Sequence, residues 1–382
     1  MKIPSFDLTR QYQHLKPEIL TEVERVMASG HYILGPEVQA FEDEAAKYLG
    51  VKHAIGVANG TDALWLALRA LEIGAGDVVI TTPFTFFATA SAILNVGAKP
   101  LFVDIDEQTF NIDPKAIRKL LGSDMKLRGQ AKAIIPVHLY GQPADMDEIV
   151  ALADEFNLRV IEDAAQAIGS KYGEDMAGSI GDFGCISFFP TKNIGAFGDA
   201  GLVITQDSDL AERVQMLRVQ GSKAKYHHDM IGMNSRMDAL QAAILRVKLR
   251  HLDRWIKARQ GHALAYDQLL RSLDGVIVPA QAAHRTHVYH QYTVCVLNGE
   301  REALQEYLQE KGIGSTVYYP LPLHLQPAIR SLGGKVGDFP ITERVSREVL
   351  SLPIFPELTG EERRMVGYEI EEFCSKNRTK AA

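Results

Sequence analysis

The segment Asn59-Gly60-Thr61-Asp62 has the composition of a phosphate-binding helix start. It follows an apolar run and opens an apolar helix, and Asn, Thr and Asp all favour the N-cap position. A glycine at position 60 lets a ligand approach the backbone closely. The free N–H groups and the dipole of such a helix start attract anions. Ordinary helix capping would explain the same residues, so this segment alone leaves both interpretations open.

Two further segments supply an acid and an amine. Glu162 and Asp163 end an apolar run, where α/β sheets place their ligands, although Asp163 could equally be a helix N-cap. Lys192 follows the aromatic segment 187–190; such surroundings lower the pKa of a lysine, although an exposed loop lysine is commoner. Pyridoxal phosphate needs these three elements together: a phosphate site, an acid for its ring nitrogen and a Schiff-base lysine.

The composition argues against several classes of protein. The 382 residues carry a net charge of −7, which disfavours broad binding to nucleic acid or anionic membranes. The three cysteines form no C-x-x-C pair, so we expect neither a disulfide scaffold nor a structural zinc site. We find no metal-ligand cluster, no P-loop and no Rossmann fingerprint. Because no apolar run has signal-peptide or membrane-spanning length, we expect a soluble, cytoplasmic protein.

The elements that must position these segments alternate between strand and helix from about residue 50 to residue 205. We predict buried strands at residues 54–58, 78–82, 100–104, 133–138 and 159–163. We predict helices between them at residues 61–73, 85–96, 113–122 and 144–157. This alternation is typical of a largely parallel α/β sheet covered on both faces. Residues 186–189 and 201–205 then predict a hairpin-like addition to that sheet.

A second, smaller unit follows. The helical spacing of apolar residues over 237–273 predicts one long helix that joins two domains. After it we predict strands at 289–297 and 314–319, a loop at 320–327, and helices at 301–311, 342–350 and 360–375. We therefore expect a large α/β domain over residues 1–250 and a small α+β domain over residues 251–382.

Motifs along nearly the whole chain, in order, resemble those of the DegT/StrS family of nucleotide-sugar aminotransferases. They are GHYILGP (30–36), NGTDAL (59–64), PFTFFAT (83–89), VDID (103–106), HLYGQ (138–142), EDAAQA (162–167), SFFPTKN (187–193), GMNSRMDALQAA (232–243) and YPLPLHLQP (319–327). The resemblance implies the aspartate-aminotransferase-like fold (fold type I), with a mostly parallel sheet between helices and a smaller α+β C-terminal domain. It also implies pyridoxal 5'-phosphate as cofactor.

The resemblance further implies roles for individual residues. Lys192 would be the catalytic Schiff-base lysine, Asp163 would pair with the pyridine nitrogen, and Gln166 would contact the ring's phenolic oxygen. The remaining cofactor-binding residues would be Gly60, Thr61, Asp62, Phe86, Ser187 and Asn234. Among them Phe86 would stack on the ring, and Asn234 would reach the phosphate from a neighbouring subunit, so a homodimer is expected. The candidate substrate contacts are Tyr226, His227, His228, Arg236, Tyr319 and His324.

The implied reaction moves an amino group from L-glutamate to a keto-sugar linked to a nucleoside diphosphate. The segments 225–228 and 234–238 resemble members that act on 3-keto sugars, so we expect amination at C3. The substrate would be a UDP-linked N-acetyl sugar or a dTDP-linked 6-deoxyhexose. Amination at C4 and a non-catalytic regulatory role are the alternatives. Because Lys192 is present where some relatives carry His, transamination is the direct interpretation.

Overall fold

Helices and strands alternate along most of the chain in the computed structural model, which describes residues 2–123, 125–224 and 226–381, with side chains through residue 376. The helices are α1 (Leu8–Ser29), α2 (Pro36–Leu49), α3 (Gly60–Ala70), α4 (Phe87–Asn95), α5 (Pro114–Ser123), α6 (Met125–Gln130), α7 (Met146–Phe156), α8 (Ser208–Leu217), α9 (Ala239–Leu249), α10 (Leu252–Leu270), α11 (Arg301–Glu310), α12 (Pro340–Glu348) and α13 (Gly360–Ala381). The strands are β1 (His53–Val57), β2 (Val78–Thr81), β3 (Lys99–Phe102), β4 (Ala131–Ile134), β5 (Arg159–Asp163), β6 (Lys171–Tyr172), β7 (Asp175–Met176), β8 (Phe183–Ser187), β9 (Gly201–Thr205), β10 (Ser222–Ala224), β11 (His227–His228), β12 (Val276–Ile277), β13 (Tyr292–Val296) and β14 (Val349–Leu352).

A seven-stranded sheet forms the centre of the larger part, in the order β1-β9-β8-β5-β4-β2-β3. Strands β8, β5, β4, β2 and β3 run parallel to one another, whereas β9 is antiparallel to both β8 and β1. Helix α3 packs against β8 and β9, and α2 packs against β1. The predicted α/β sheet, largely parallel and placed between helices, is therefore confirmed.

The predicted hairpin-like addition exists as β8 and β9, but β8 begins earlier than predicted. It starts at Phe183, whose fully buried side chain lies in the core and whose backbone pairs with Ile161 of β5. The strand ends at Ser187 because the chain then turns into the loop that carries Lys192. The two phenylalanines at 188 and 189, predicted to lie in the strand, belong to that loop.

The C-terminal part contains the antiparallel sheet β12-β13-β14. Its core includes Tyr266, Tyr292 and Leu350, and Ile3 from the other end of the chain packs into the same core. Helix α9 ends at Leu249 and α10 begins at Leu252, and the predicted division into two domains at residue 250 stays a prediction. Helix α10 contacts both parts of the chain, because Ile256 packs in a core beneath the large sheet.

Three predictions for this part were wrong. The long helix over 237–273 is interrupted at Arg250 and His251, since α9 packs on α1 and α2 whereas α10 turns to pack on α13. Residues 314–319 form no strand, and only Thr316 makes an isolated bridge, to Ser351. The helix predicted over 342–350 ends at Glu348, because the following residues are buried as β14 beside β13. The sequence analysis also missed α1 and α2.

Candidate functional site

A cavity of about 670 Å³ opens where β5 and β8 end and α3 begins. In a parallel sheet this carboxyl edge is the usual place for a ligand. The cavity is lined by every predicted cofactor residue except Asn234, namely Gly60, Thr61, Asp62, Phe86, Asp163, Gln166, Ser187 and Lys192. Of the predicted substrate contacts, Tyr319 also lines it. The topology thus gathers three segments that are far apart in sequence.

The start of α3 provides the anion-binding end of the cavity. The Oδ1 atom of Asn59 accepts a hydrogen bond of 2.8 Å from the N–H of Asp62 and so caps the helix. The helix start presses directly against the sheet, because a Cβ atom at Gly60 would lie 2.7 Å from Cβ of Ser187. The first N–H groups of a helix have no intrahelical partner and attract a phosphate. The cap is therefore observed, and the anion site at the same helix start stays a prediction.

Asp163, the last residue of β5, places a buried carboxylate at the cavity wall. Its Oδ2 atom accepts a 2.8 Å hydrogen bond from Oγ1 of Thr89, and its Oδ1 atom accepts one of 3.3 Å from the N–H of Ala165. Burial raises the pKa of Asp163, while these hydrogen bonds and the nearby charge of Lys192 oppose the shift. A carboxylate in such a place calls for a cationic partner, and a protonated ring nitrogen would supply one.

Lys192 lies in a tight loop and lines the same cavity. Its backbone N–H donates a 2.9 Å hydrogen bond to the carbonyl of Phe189. Burial lowers the pKa of the Lys192 amine to about 8, and the charge of Asp163 works against that shift. A lysine with a pKa this low has a useful fraction of neutral, nucleophilic amine near neutral pH.

Gln166 and two aromatic residues shape the middle of the cavity. The Oε1 atom of Gln166 accepts a 2.7 Å hydrogen bond from the N–H of Tyr140, which fixes the orientation of the amide. Its Nε2 atom donates a 3.1 Å hydrogen bond to the hydroxyl of Tyr319. The ring of Phe86 is 58% exposed, and its centre lies 6.1 Å from that of Tyr319. The two rings, tilted by 38° to each other, form an aromatic part of the cavity wall.

The sequence analysis missed His290. Its imidazole lines the cavity with 6% of the residue exposed, and Nδ1 is buried without a hydrogen-bond partner. Burial lowers the pKa of His290, and the charges of Lys192 and Arg259 lower it further. The imidazole is therefore neutral at physiological pH. His290 stands between Tyr289 and Gln291, outside every motif quoted above, so nothing in the sequence distinguishes it from a core histidine.

The other predicted contacts lie outside the cavity of this chain. Asn234, Tyr226, His227 and His228 are exposed on the segment 222–238, which includes the β10–β11 hairpin. Arg236 on the same segment is half-buried, and its Nε atom is buried without a partner. Lys225, part of the 225–228 motif, lies outside the described residues. The roles assigned to this segment stay predictions.

His324 is also away from the cavity wall. Its ring is buried with Nε2 3.2 Å from Oε1 of Glu343, and it packs edge-on against Phe339. The loop that carries it is nevertheless attached near the site, since the N–H of Leu323 donates a 2.8 Å hydrogen bond to the carbonyl of Pro83. The predicted substrate contact of His324 therefore remains a prediction.

The residues present fit pyridoxal phosphate. The cavity offers an anion-binding helix start, a buried carboxylate and an amine with a lowered pKa, each facing the same space. Across the described ranges, no group of three or more His, Cys, Asp or Glu side chains is arranged to hold a metal ion. None of the helices in the described part of the chain is both long enough and apolar enough to cross a membrane.

Comparisons with known proteins agree with this arrangement. A profile of the DegT/DnrJ/EryC1/StrS aminotransferase family matches residues 13–371. A "pleiotropic regulatory protein" of Geobacillus stearothermophilus is 51% identical over 98% of this chain and 99% of its own length. A UDP-N-acetyl-3-dehydro-alpha-D-glucosamine 3-aminotransferase of Acidithiobacillus ferrooxidans is 46% identical over 94% and 95%. The crystal structure of DesV from S. venezuelae in complex with a ketimine intermediate has a TM-score of 0.94 at 41% identity, and 98% of each chain is covered.

Proposed function

Because the chain belongs to the DegT/DnrJ/EryC1/StrS aminotransferase family, we propose that it transfers the amino group of L-glutamate to a 3-keto sugar linked to a nucleoside diphosphate. Pyridoxal 5'-phosphate would be the cofactor. The observation that carries this proposal is the single cavity in which the start of α3, Asp163 and Lys192 meet. The fold and the family predicted from the motifs are both confirmed.

Four parts of the cavity would have defined tasks in this reaction, namely the start of α3, Ser187, Asp163 and Lys192. When bound, the cofactor supplies the electron sink that makes the Cα–H bond of an amino acid acidic. The start of α3 and Ser187 would hold the phosphate, and the carboxylate of Asp163 would keep the ring nitrogen protonated. Lys192, once its amine is free and neutral, would take the proton from Cα of the amino acid and deliver it to C4′, the carbon of the cofactor to which the amine had been attached. The lowered pKa of Lys192, about 8, suits it to act as a base.

Two observations support amination at C3. The segment 234–238 resembles members of the family that act on 3-keto sugars, and the Acidithiobacillus ferrooxidans relative is named as a 3-aminotransferase. That relative acts on a UDP-linked sugar by its name. The loop of His324 equally resembles members that use dTDP-linked sugars, so the proposal covers both nucleotides.

A homodimer would complete the site. Exposed apolar side chains at Met27, Tyr32 and Ile33 lie beside the 222–238 segment, since the N–H of Ala239 donates a 2.9 Å hydrogen bond to the carbonyl of Tyr32. A second copy that covers this apolar surface would bring its own Asn234 and neighbouring residues towards the first copy's cavity. A cytoplasmic location also remains a prediction.

The first experiment is an absorbance spectrum of the purified protein with pyridoxal phosphate, before and after L-glutamate. We expect a visible band from cofactor attached to Lys192, and we expect glutamate alone to replace it with the shorter-wavelength pyridoxamine form. NMR of the product from 3-keto and 4-keto isomers, each linked to UDP or dTDP, then identifies the aminated carbon. No visible band would refute the cofactor assignment, and amination at C4 alone would refute the substrate assignment.

A regulatory role is the second candidate, because the Geobacillus stearothermophilus relative is named as a regulatory protein. The same spectra decide between the two. A purely regulatory protein has no need to convert the cofactor with glutamate, whereas a transaminase must do so. The buried Asp163 and the lowered pKa of Lys192 favour the transaminase.

A further inference from the structure

The loop that carries Lys192 is closed on itself. The N–H of Ala196 donates a 2.8 Å hydrogen bond to the carbonyl of Phe188, which joins the two ends of the loop. Gly195 packs so closely on Pro190 that a Cβ atom at position 195 would lie 2.1 Å from the Pro190 carbonyl oxygen. Lys192 lies between these two contacting residues. A displacement of Gly195 therefore moves the turn from which the Lys192 side chain projects.

Helix α9 holds this loop from outside at two points. The Nζ atom of Lys248 donates a 2.5 Å hydrogen bond to the carbonyl of Gly195, and it lies 4.5 Å from the centre of the Phe197 ring. Gln241 binds the Phe197 backbone twice: Oε1 accepts from its N–H at 2.8 Å, and Nε2 donates to its carbonyl at 2.9 Å. Gln241 and Lys248 are two helical turns apart and so lie on one face of α9.

Packing alone does not explain a lysine at position 248. Lys248 is 2% exposed. Burying an ammonium group is costly unless its charge is compensated and its N–H groups are hydrogen-bonded. An apolar side chain such as Met would fill the same space without that cost. Unlike Met, the ammonium group donates a hydrogen bond to Gly195 and makes a cation–π contact with Phe197.

We infer that Lys248, assisted by Gln241, is a positioning residue for Lys192. It fixes the closed loop so that the Lys192 amine meets the carbonyl carbon of the cofactor at bonding distance. The effect is geometric, because the pKa of Lys192 is set by burial and by Asp163. The inference rests on the proposed function only in requiring that Lys192 binds the cofactor, and it does not depend on the identity of the sugar.

The test measures the rate at which pyridoxal phosphate attaches to Lys192 of the apoprotein, by stopped-flow absorbance, together with the melting temperature of the apoprotein. We expect Lys248→Met to slow attachment at least tenfold. We expect Gln241→Leu to slow it about threefold, since Lys248 still holds Gly195. The matched control is Lys257→Met, which removes an exposed lysine from the neighbouring helix α10 and should attach the cofactor at the wild-type rate.

If the cofactor attaches to Lys192 of the Lys248→Met variant at the wild-type rate, the inference is overturned, whether or not the melting temperature of the variant changes. If the Lys248→Met variant does not fold, the Gln241→Leu variant provides the test. Cofactor attachment to that variant at the wild-type rate would also overturn the inference. Failure of the proposed function looks different: the wild-type protein would attach the cofactor, and Lys248→Met would slow this step, but glutamate would leave the spectrum unchanged. A wild-type protein that attaches no cofactor would refute both.

Discussion

Most of the predicted site residues lie in two regions, the cavity and the 222–238 segment, and these regions differ in how far their side chains are buried and held by hydrogen bonds. In the cavity, Asp163 and Gln166 are buried or half-buried and each is fixed by neighbouring hydrogen bonds within the same chain. On the 222–238 segment, His227 and His228 are exposed, and Asn234 lies at the surface. Both regions contain residues to which the family resemblance assigns roles. One copy of the chain forms the cavity by itself, and none of the described residues of 222–238 lines it.

This difference separates most of the groups predicted to bind the cofactor from most of those predicted to contact the sugar nucleotide. The groups that would bind and activate the cofactor come from the carboxyl edge of a single sheet, where the fold itself fixes their distances. Four of the six groups expected to contact the sugar nucleotide, Tyr226, His227, His228 and Arg236, lie on the 222–238 segment, which has exposed apolar neighbours such as Tyr32 and Ile33. If a second copy covers that surface, assembly would add the substrate contacts predicted there and the phosphate contact of Asn234 to a cavity whose other cofactor residues come from one chain.

The largest effect is expected from Lys192→Ala. This change removes both the amine that attaches to the cofactor and the base that moves the proton, so turnover should fall by at least ~10³-fold. Mass spectrometry after borohydride reduction should find no cofactor on the 187–193 peptide. A variant that keeps full activity would refute the assignment of the cavity as the catalytic site.

The second prediction tests whether the exposed segment serves the partner's cavity. Arg236→Ala should lower kcat/KM for the sugar nucleotide by about 10–100-fold, the usual effect of losing a charged hydrogen bond. When Lys192→Ala and Arg236→Ala subunits are mixed, half of the dimers contain one subunit of each kind, and one of their two sites is intact. About a quarter of the wild-type activity should therefore return.

The control for this mixing experiment is the double variant Lys192→Ala, Arg236→Ala. Mixed with Lys192→Ala subunits, it provides no intact site and should restore nothing. If the first mixture also restores nothing although the subunits exchange, Arg236 acts on the site of its own chain. The comparison between the two regions would then fail.

The third prediction uses the pH dependence of cofactor attachment. Only the neutral amine attacks a carbonyl, and with a pKa of about 8 roughly a tenth of Lys192 is neutral at pH 7. The attachment rate should rise about tenfold per pH unit up to pH ~8 and then level off. Asp163→Asn removes a charge that raises the pKa of Lys192, so the midpoint should move to lower pH. An attachment rate that still rises above pH 10 would show that the pKa of Lys192 is not lowered.

The cofactor half of the site could be predicted from sequence because its residues sit in short motifs at element boundaries. Asn59 to Asp62 begin a helix, and Asp163 ends a strand, so periodicity alone places them at one edge of the sheet. The fold class followed from the same alternation of strands and helices. The strand predicted over 314–319 was wrong for a different reason. Thr316 has neighbours that favour a strand, but in the fold its backbone forms only an isolated bridge, to Ser351.

What sequence could not give were the contacts between distant segments. His290 becomes part of the cavity only because its chain segment is bonded to Gly141 and Tyr140, through Val288 and Gln291. Lys248 reaches the loop of Lys192 from a helix that has no motif at that position. Residues of this kind look like ordinary core or surface positions until the fold brings them together.

The smallest effect is expected from Tyr319→Phe, which alters the cavity without touching its charges. The change removes the hydroxyl that accepts the 3.1 Å hydrogen bond from Nε2 of Gln166, while the Tyr140 N–H still holds the other end of the amide. A neutral hydrogen bond contributes about 0.5–1.5 kcal/mol, so kcat/KM should fall by about 2–10-fold. Tyr368→Phe, at an exposed position on α13, is the matched control and should leave kcat/KM unchanged. A loss as large as that of Lys192→Ala would mean that the Tyr319 hydroxyl itself takes part in the chemistry, and the division between a catalytic cavity and a separate region for substrate choice would have to be redrawn.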